Sequence, residues 1–271
     1  MAVSNIAWDP AEDDAVGAVL RAEGVRGVEI APTKWRDDPL SASAAEVAAY
    51  RAAWEDRGLE IVSLQSLFFG QPHLQLFGTS AVRTAMGDYV RRMIDLAAAL
   101  GAGVLVFGSP KNRTRGDLSS ADATAIATNF FGDMADYAAS RGTAVCIEAN
   151  PEGYGCDFIT TTAEAAALCR SIDNSGLRVN GDLGGMTMSG EDPATSIRDA
   201  KGFLAHFHAS EPHLAPLGAA SDHSRAARAL SAIAYAGWIS IEMRSTGSTN
   251  PPEAIRKAIR QARIAYAPSQ L

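Results

Sequence analysis

Glu148, Asp182, His208 and Glu242 are the residues of this 271-residue chain whose types and spacing point most directly to chemistry. Each closes a short apolar run: Ala144-Val145-Cys146-Ile147 before Glu148, Leu177-Arg178-Val179-Asn180-Gly181 before Asp182, Phe203-Leu204-Ala205-His206-Phe207 before His208, and Trp238-Ile239-Ser240-Ile241 before Glu242. The four stand 34, 26 and 34 residues apart, about the chain that one strand, one helix and two loops consume. If the runs are consecutive parallel strands, one rim of one sheet carries two glutamates, an aspartate and a histidine. Three carboxylates gathered at one place repel one another, and burial raises the cost of keeping them ionised. A divalent cation is the simplest neutraliser, and a donor set of three oxygens and one nitrogen suits Mn²⁺, Mg²⁺, Co²⁺ or Zn²⁺.

The elements that must position these residues alternate along the whole chain. Four further apolar runs precede them, near Ile6-Ala7-Trp8, Gly27-Val28-Glu29-Ile30, Ile61-Val62-Ser63-Leu64 and Val104-Leu105-Val106-Phe107, which makes eight. Between the runs lie Ala-rich amphipathic stretches, among them 82–100, 122–140, 162–172 and 224–235. Asp9-Pro10 reads as an N-cap with proline in the first turn, and Ser43-Ala44-Ala45-Glu46 and Thr161-Thr162-Ala163-Glu164 read as capping boxes. Gly24, Gly58, Gly101, Gly142, Gly176 and Gly237 stand just before strands, where glycine supplies the left-handed residue that ends a helix. Eight strand–helix units predict an α/β protein, a (β/α)8 TIM barrel, as a single domain over 1–271. An open doubly wound sheet would place a Gly-rich phosphate loop after its first strand, and Ala7-Trp8-Asp9-Pro10 is not one.

Composition narrows the function. Apolar residues make up 47% of the chain, enough to fill a barrel core, and the net charge of −7 argues against a nucleic-acid partner. Cys146, Cys156 and Cys169 form no close ligand pair and read as reduced thiols of a cytoplasmic protein. Neither a signal peptide nor a run of about 18 apolar residues is visible, so no membrane partner is expected. A small carbohydrate and a second copy of the chain are the partners considered.

Val145-Cys146-Ile147-Glu148-Ala149-Asn150, Asn180-Gly181-Asp182-Leu183-Gly184, Phe207-His208-Ala209-Ser210-Glu211-Pro212 and Ser240-Ile241-Glu242-Met243-Arg244, in this order, resemble the xylose isomerase-like superfamily. Within it the chain is similar to the sugar phosphate isomerase/epimerase group, which also includes ketose 3-epimerases, inosose dehydratase and AP endonucleases. The resemblance spans nearly the whole chain. It implies one divalent metal, most often Mn²⁺, held by Glu148, Asp182, His208 and Glu242. It also implies that Glu148 and Glu242 exchange protons with a substrate carbon next to a carbonyl, through a metal-stabilised enediolate. The sequence departs from the ketose epimerases at Gly185, Tyr154 and Leu214, where that group has a histidine, a glutamate and an arginine. The function expected is thus a metal-dependent sugar or sugar-phosphate isomerase or epimerase, with a lyase on the same scaffold, such as a keto-inositol-type dehydratase or a 3-keto-glycoside eliminating enzyme, as the alternative.

Other residues are candidates for holding the substrate. Lys111 after strand 4 and Arg244 after strand 8 offer cations for a phosphate or carboxylate, with Lys34 after strand 2 a weaker candidate. Glu29 and Gln65 end strands 2 and 3, Glu211 follows His208 by three residues, and His223 opens the next helix beside Asp222. His206 shares a strand face with His208 and reads as a core residue, while His73 reads as a surface one. The 66–80 loop, with Phe68, Phe69, Leu74, Leu76 and Phe77 between Gly70 and Gly78, is expected to be a lid over the mouth.

Overall fold

Runs such as Val104-Leu105-Val106-Phe107 are apolar throughout, which suits strands buried on both faces. The computed structural model describes residues 1–245, 247 and 250–266, and in it eight parallel strands close into a barrel in chain order. They are β1 (Ala2–Ser4), β2 (Gly27–Ile30), β3 (Glu60–Leu64), β4 (Val104–Phe107), β5 (Ala144–Glu148), β6 (Leu177–Asp182), β7 (Leu204–Ser210) and β8 (Trp238–Glu242). The helices between and after them are α1 (Asp13–Ala22), α2 (Pro32–Trp35), α3 (Ala44–Asp56), α4 (Ser80–Leu100), α5 (Ser120–Ser140), α6 (Thr162–Ile172), α7 (Leu183–Met188), α8 (Pro193–Asp199), α9 (His223–Ala232) and α10 (Pro251–Tyr266). The architecture is a (β/α)8 TIM barrel. Among the described residues, no helix is long and apolar enough to cross a membrane.

The start signals act as expected. Asp9, Ser43 and Thr161 each form a capping box with the glutamate three residues on. The first strand lies earlier than expected: Ile6-Ala7-Trp8 is not a strand, and β1 ends at Ser4. Asn5 turns the chain out of the sheet, because its side-chain oxygen accepts the Ala31 N–H at 2.8 Å and Asn5–Ala7 coils into a 3-10 turn. Trp8 is then wholly buried and donates its indole N–H to Asp13 at 2.7 Å.

The glycine signals divide. Gly24, Gly58, Gly101 and Gly142 are left-handed, but Gly176 and Gly237 are not; Asp173 and Ala234 take that conformation after α6 and α9 instead. Gly176 and Gly237 are required for close approach. A Cβ there would sit 1.9 Å from the Ala135 carbonyl oxygen and 2.6 Å from that of Ala205, respectively.

The 66–80 loop is largely packing and not a lid. Leu74 and Leu76 are buried, and Phe77 meets Phe158 edge-on. Asn112 fastens the loop from below, donating to the carbonyls of Gln71 and Leu74 at 2.8 and 2.6 Å and accepting from Leu76 N at 2.8 Å. Phe68 packs on Tyr89 and Phe107, so only the tip at Phe69 and Gly70 is loosely held, with Phe69 71% exposed. Leu76→Ala should therefore cost about 2–5 kcal/mol of stability in chemical denaturation, as for a core leucine. Phe69→Ala should stay within about 0.5 kcal/mol. Equal, small losses for both would contradict the packed loop.

Candidate active site

Register sets the height of each functional side chain. Glu148 lies beside Asn180, Asp182 beside His208, and Ser210 beside Glu242. Side chains two residues apart on a strand share a face, so Asn180 and Asp182 point into the barrel together, as do His206, His208 and Ser210. The carboxylates converge on one ring atom. Nδ1 of His208 lies 3.1 Å from Glu242 Oε2, 3.3 Å from Glu148 Oε2 and 3.7 Å from Asp182 Oδ2. His208 is wholly buried, while the three acids retain a little exposure towards the mouth.

Each acid is fixed by neighbours. Glu148 accepts from the side-chain amides of Asn150 at 2.8 Å and Asn180 at 2.6 Å. Gly108 leaves room for its carboxylate, since a Cβ there would meet Glu148 Oε1 at 2.7 Å. Asp182 caps α7 through the Gly185 N–H and accepts from the Ser210 hydroxyl at 2.6 Å. Under Glu148 lies Arg113, wholly buried and with no carboxylate ion pair among the described residues. Its guanidinium donates to the carbonyls of Glu148 (2.7 Å), Phe158 (3.0 Å) and Phe107 (3.2 Å), joining the ends of β4 and β5 to the loop before α6.

Below His208 sits a second layer centred on Glu29. This carboxylate is wholly buried and accepts from Ser63 (2.6 Å), His206 Nε2 (2.7 Å), His208 Nε2 (3.2 Å), Gln65 (3.2 Å) and Ser240 (3.3 Å). Burial opposes its charge, but His208 and His206 outweigh burial and hold Glu29 well below the usual carboxylate range. Burial likewise opposes a charge on His208, yet Glu242 and Glu29 pull its pKa well above the ordinary value. Burial lifts Glu242 to about 7 against the attraction of His208.

Two groups of side chains have the composition of a metal site: Glu148, Asp182 and His208, and Glu29, His206 and His208. The second is sealed inside the barrel, and its contacts are those of a hydrogen-bonded carboxylate between two imidazoles. The first opens to the mouth and fits a divalent cation. Glu29 accepts the hydrogen bond of His208 Nε2, so Nδ1 is the ring atom that would meet a cation, among three carboxylate oxygens whose charges favour a positive charge at that point.

The acids form the floor of a cavity of about 500 Å³, within the range that takes small-molecule ligands. Gln65, Lys111, Glu211 and Arg244 also line it, as do Tyr154, His213 and Phe69. Glu29 and His223 do not, which corrects the expectation that they contact substrate. Glu29 is one layer too deep. His223 is turned away by Tyr266, 2.9 Å from its Nδ1, and by Glu211, 3.2 Å from its Nε2. Glu211 also accepts from the backbone of Gly218 and Ser221, at 2.8 Å each, so it braces the loop after β7. Lys34 lies outside the cavity and His73 is exposed. The sequence patterns assign no role to Asn150, Asn180, Ser210 and Arg113, although the two-residue strand period places Asn180 under Asp182 and Ser210 beyond His208.

The family model for the xylose isomerase-like TIM barrel matches residues 18–264. Among solved structures, the chain is similar to a D-psicose 3-epimerase (19% identity, TM-score 0.80, 98% of each chain covered). It is also similar to 3-keto-D-glucoside 4-epimerase from E. coli (20% identity, TM-score 0.80, 97% of this chain and 98% of that one). A D-psicose 3-epimerase from Clostridium cellulolyticum H10 superposes with a TM-score of 0.81 at 14% identity, over 98% of each chain. These likenesses are likenesses of fold. Comparison with curated protein sequences gives no match.

If the upper cluster is the metal site, Glu148→Ala and Asp182→Ala should each lower Mn²⁺ affinity by about 10-fold or more in a titration, with the circular dichroism spectrum retained. Glu29→Gln should do the same with every ligand in place, by loosening the grip on His208 Nε2. Wild-type metal content in both ligand variants would refute the assignment.

Proposed function

The chain belongs to the xylose isomerase-like TIM barrel family, and on that premise we propose that it is a divalent-metal-dependent sugar isomerase or epimerase that moves a proton at a carbon next to a carbonyl. The observation that carries this reading is the placement of Glu148 and Glu242. They close β5 and β8, three strands apart around the ring, and their carboxylates line one cavity floor, 3.3 and 3.1 Å from His208 Nδ1. Two carboxylates so placed can remove a proton from one face of a carbon and return one to the other.

Glu148, Asp182, His208 and Glu242 would hold the metal, with Mn²⁺ the first candidate. When bound, it would supply Lewis-acid polarisation of the substrate oxygens. The remaining work belongs to the chain. Two amide donors fix the direction of the Glu148 carboxylate, which suits the group that removes the proton. Glu242 accepts no amide hydrogen bond among the described residues and meets only His208, so it is free to carry a proton and return it. Phe68 and Val106 give the cavity wall an apolar side that keeps water from a reactive intermediate.

The neighbours in fold include ketose 3-epimerases and a 4-epimerase of a 3-keto glucoside. In both reactions the carbon that inverts lies next to a carbonyl, which supports the same chemistry here. Turnover in D₂O should place deuterium on the inverted carbon, read by NMR. Glu148→Gln and Glu242→Gln should each lower the exchange rate by about 10²-fold or more, the usual contribution of a positioned acid or base. Product formed without solvent label would mean a hydride shift and would overturn the proposal; an eliminated product would point to the lyase.

A further inference from the structure

The charges that line the cavity do not balance. Its acids are all engaged: Glu148, Asp182 and Glu242 face His208, and Glu211 holds His223 and two backbone amides. Its two cations, Lys111 and Arg244, are exposed, and neither side chain has an ion pair or hydrogen bond among the described residues. Surface cations of both kinds occur among the described residues: Arg36, Arg51, Arg57 and Arg91 have carboxylate partners, while Lys201 and Lys257 have no ion pair, so it is the shared position of Lys111 and Arg244 on one cavity that sets them apart.

The backbones that carry the two free cations are fixed. Lys111 is followed by Asn112 and Arg113, both buried and hydrogen-bonded, as described above. Arg244 donates its backbone N–H to the Leu214 carbonyl at 2.8 Å. Leu214 and His213 are both left-handed, with φ of 56° and 60°, a costly conformation for two consecutive residues other than glycine. Tyr154 pins that pair from the β5 side by accepting the His213 N–H at 2.8 Å. The two mounts follow β4 and β8, which are diametrically opposed in an eight-strand ring. Rigid mounts with free ends, on opposite sides of one mouth, are the arrangement of a preorganised anion site.

We propose that Lys111 and Arg244 select a keto sugar that carries an acidic group, a carboxylate or a phosphate, on the end remote from the reacting carbonyl. This deepens the epimerase reading of the same site and presupposes it. The reacting end of such a substrate lies on the acidic floor, and its acidic end is kept off that floor and met at the rim.

The test compares D-fructose, D-fructose 6-phosphate and D-fructuronate on the full-length, Mn²⁺-loaded chain. Binding is read by isothermal titration, and carbon-bound proton exchange in D₂O by NMR. At least one acidic sugar should bind about 10-fold or more tightly than D-fructose, the scale of a single charge-assisted hydrogen bond, and added salt should narrow the gap. Lys111→Met and Arg244→Met should each shrink the acidic-to-neutral affinity ratio. The better of the two acidic sugars identifies the group as phosphate or carboxylate. If neither binds more tightly than D-fructose, or if the ratio survives both substitutions, the proposal is overturned. Selective binding without exchange of any sugar would sink the epimerase reading and leave the anion site standing; exchange without acidic preference would do the reverse.

Discussion

Three carboxylates lie within 3.7 Å of one imidazole nitrogen, in a site closed to bulk water on every side but the mouth. At such separations like charges in a poorly screened environment cost several kcal/mol, so the cluster persists only with compensation. The burial that lifts Glu242 and the carboxylates that lift His208 are two faces of that tension. Positive charge at one point relieves it, whether as a proton on Nδ1 or as a cation facing it. A floor built on this principle favours positive charge at that point, and the surrounding structure can be understood as what holds it open.

Compensation comes in layers. Amides and a hydroxyl hold the oxygens of Glu148 and Asp182 in place. Glu29 anchors both histidines from beneath and is itself tied to β3 and β8 through Ser63, Gln65 and Ser240, so the polar layer knits strands across the barrel interior. Arg113 adds a buried positive charge bonded to the Glu148 backbone and stitches β4 to β5. Of these supports only Asn150 and Gln65 reach the cavity, yet each member restricts where an acid can point, which is how a site keeps its geometry while bearing its own repulsion.

The parts legible in the sequence were those governed by local rules. Strand-end residues at a repeating interval gave the barrel and its three acids and one histidine, because a (β/α) unit has a nearly fixed length and a strand delivers its last side chain to the rim. Capping boxes gave helix starts because the bonds involved span three residues. What escaped depends on contacts distant in the chain. Arg113 is 35 residues from the Glu148 carbonyl it holds, and Glu29 is 177 residues from His206. Asn112, which turns the 66–80 loop from lid to packing, bonds carbonyls 38 and 41 residues away. Gly176 and Gly237 look like helix ends, but their role is to admit a neighbouring backbone, which local spacing does not reveal. Asn180 and Ser210 lay within reach of the two-residue strand period.

A packed loop changes how this barrel must achieve specificity. A mobile lid shields a site by closing over a substrate already bound, and it can grip the remote end by reshaping itself. Here the loops after β3, β4, β5, β7 and β8 are cross-braced. Asn112 fastens the loop after β3, Tyr154 reaches the loop after β7, and Leu214 receives the amide of Arg244. With the frame fixed, discrimination would fall to the side chains left free on it, which among the described residues include Lys111, Arg244 and the exposed tip at Phe69. A rigid rim costs little ordering entropy on binding, so a few charge-assisted contacts count nearly in full. The same rigidity forbids adaptation, so a substrate lacking the matching charge gains nothing from the rim. The acidic floor makes that asymmetry sharper, because its carboxylates repel the acidic group that the rim cations attract.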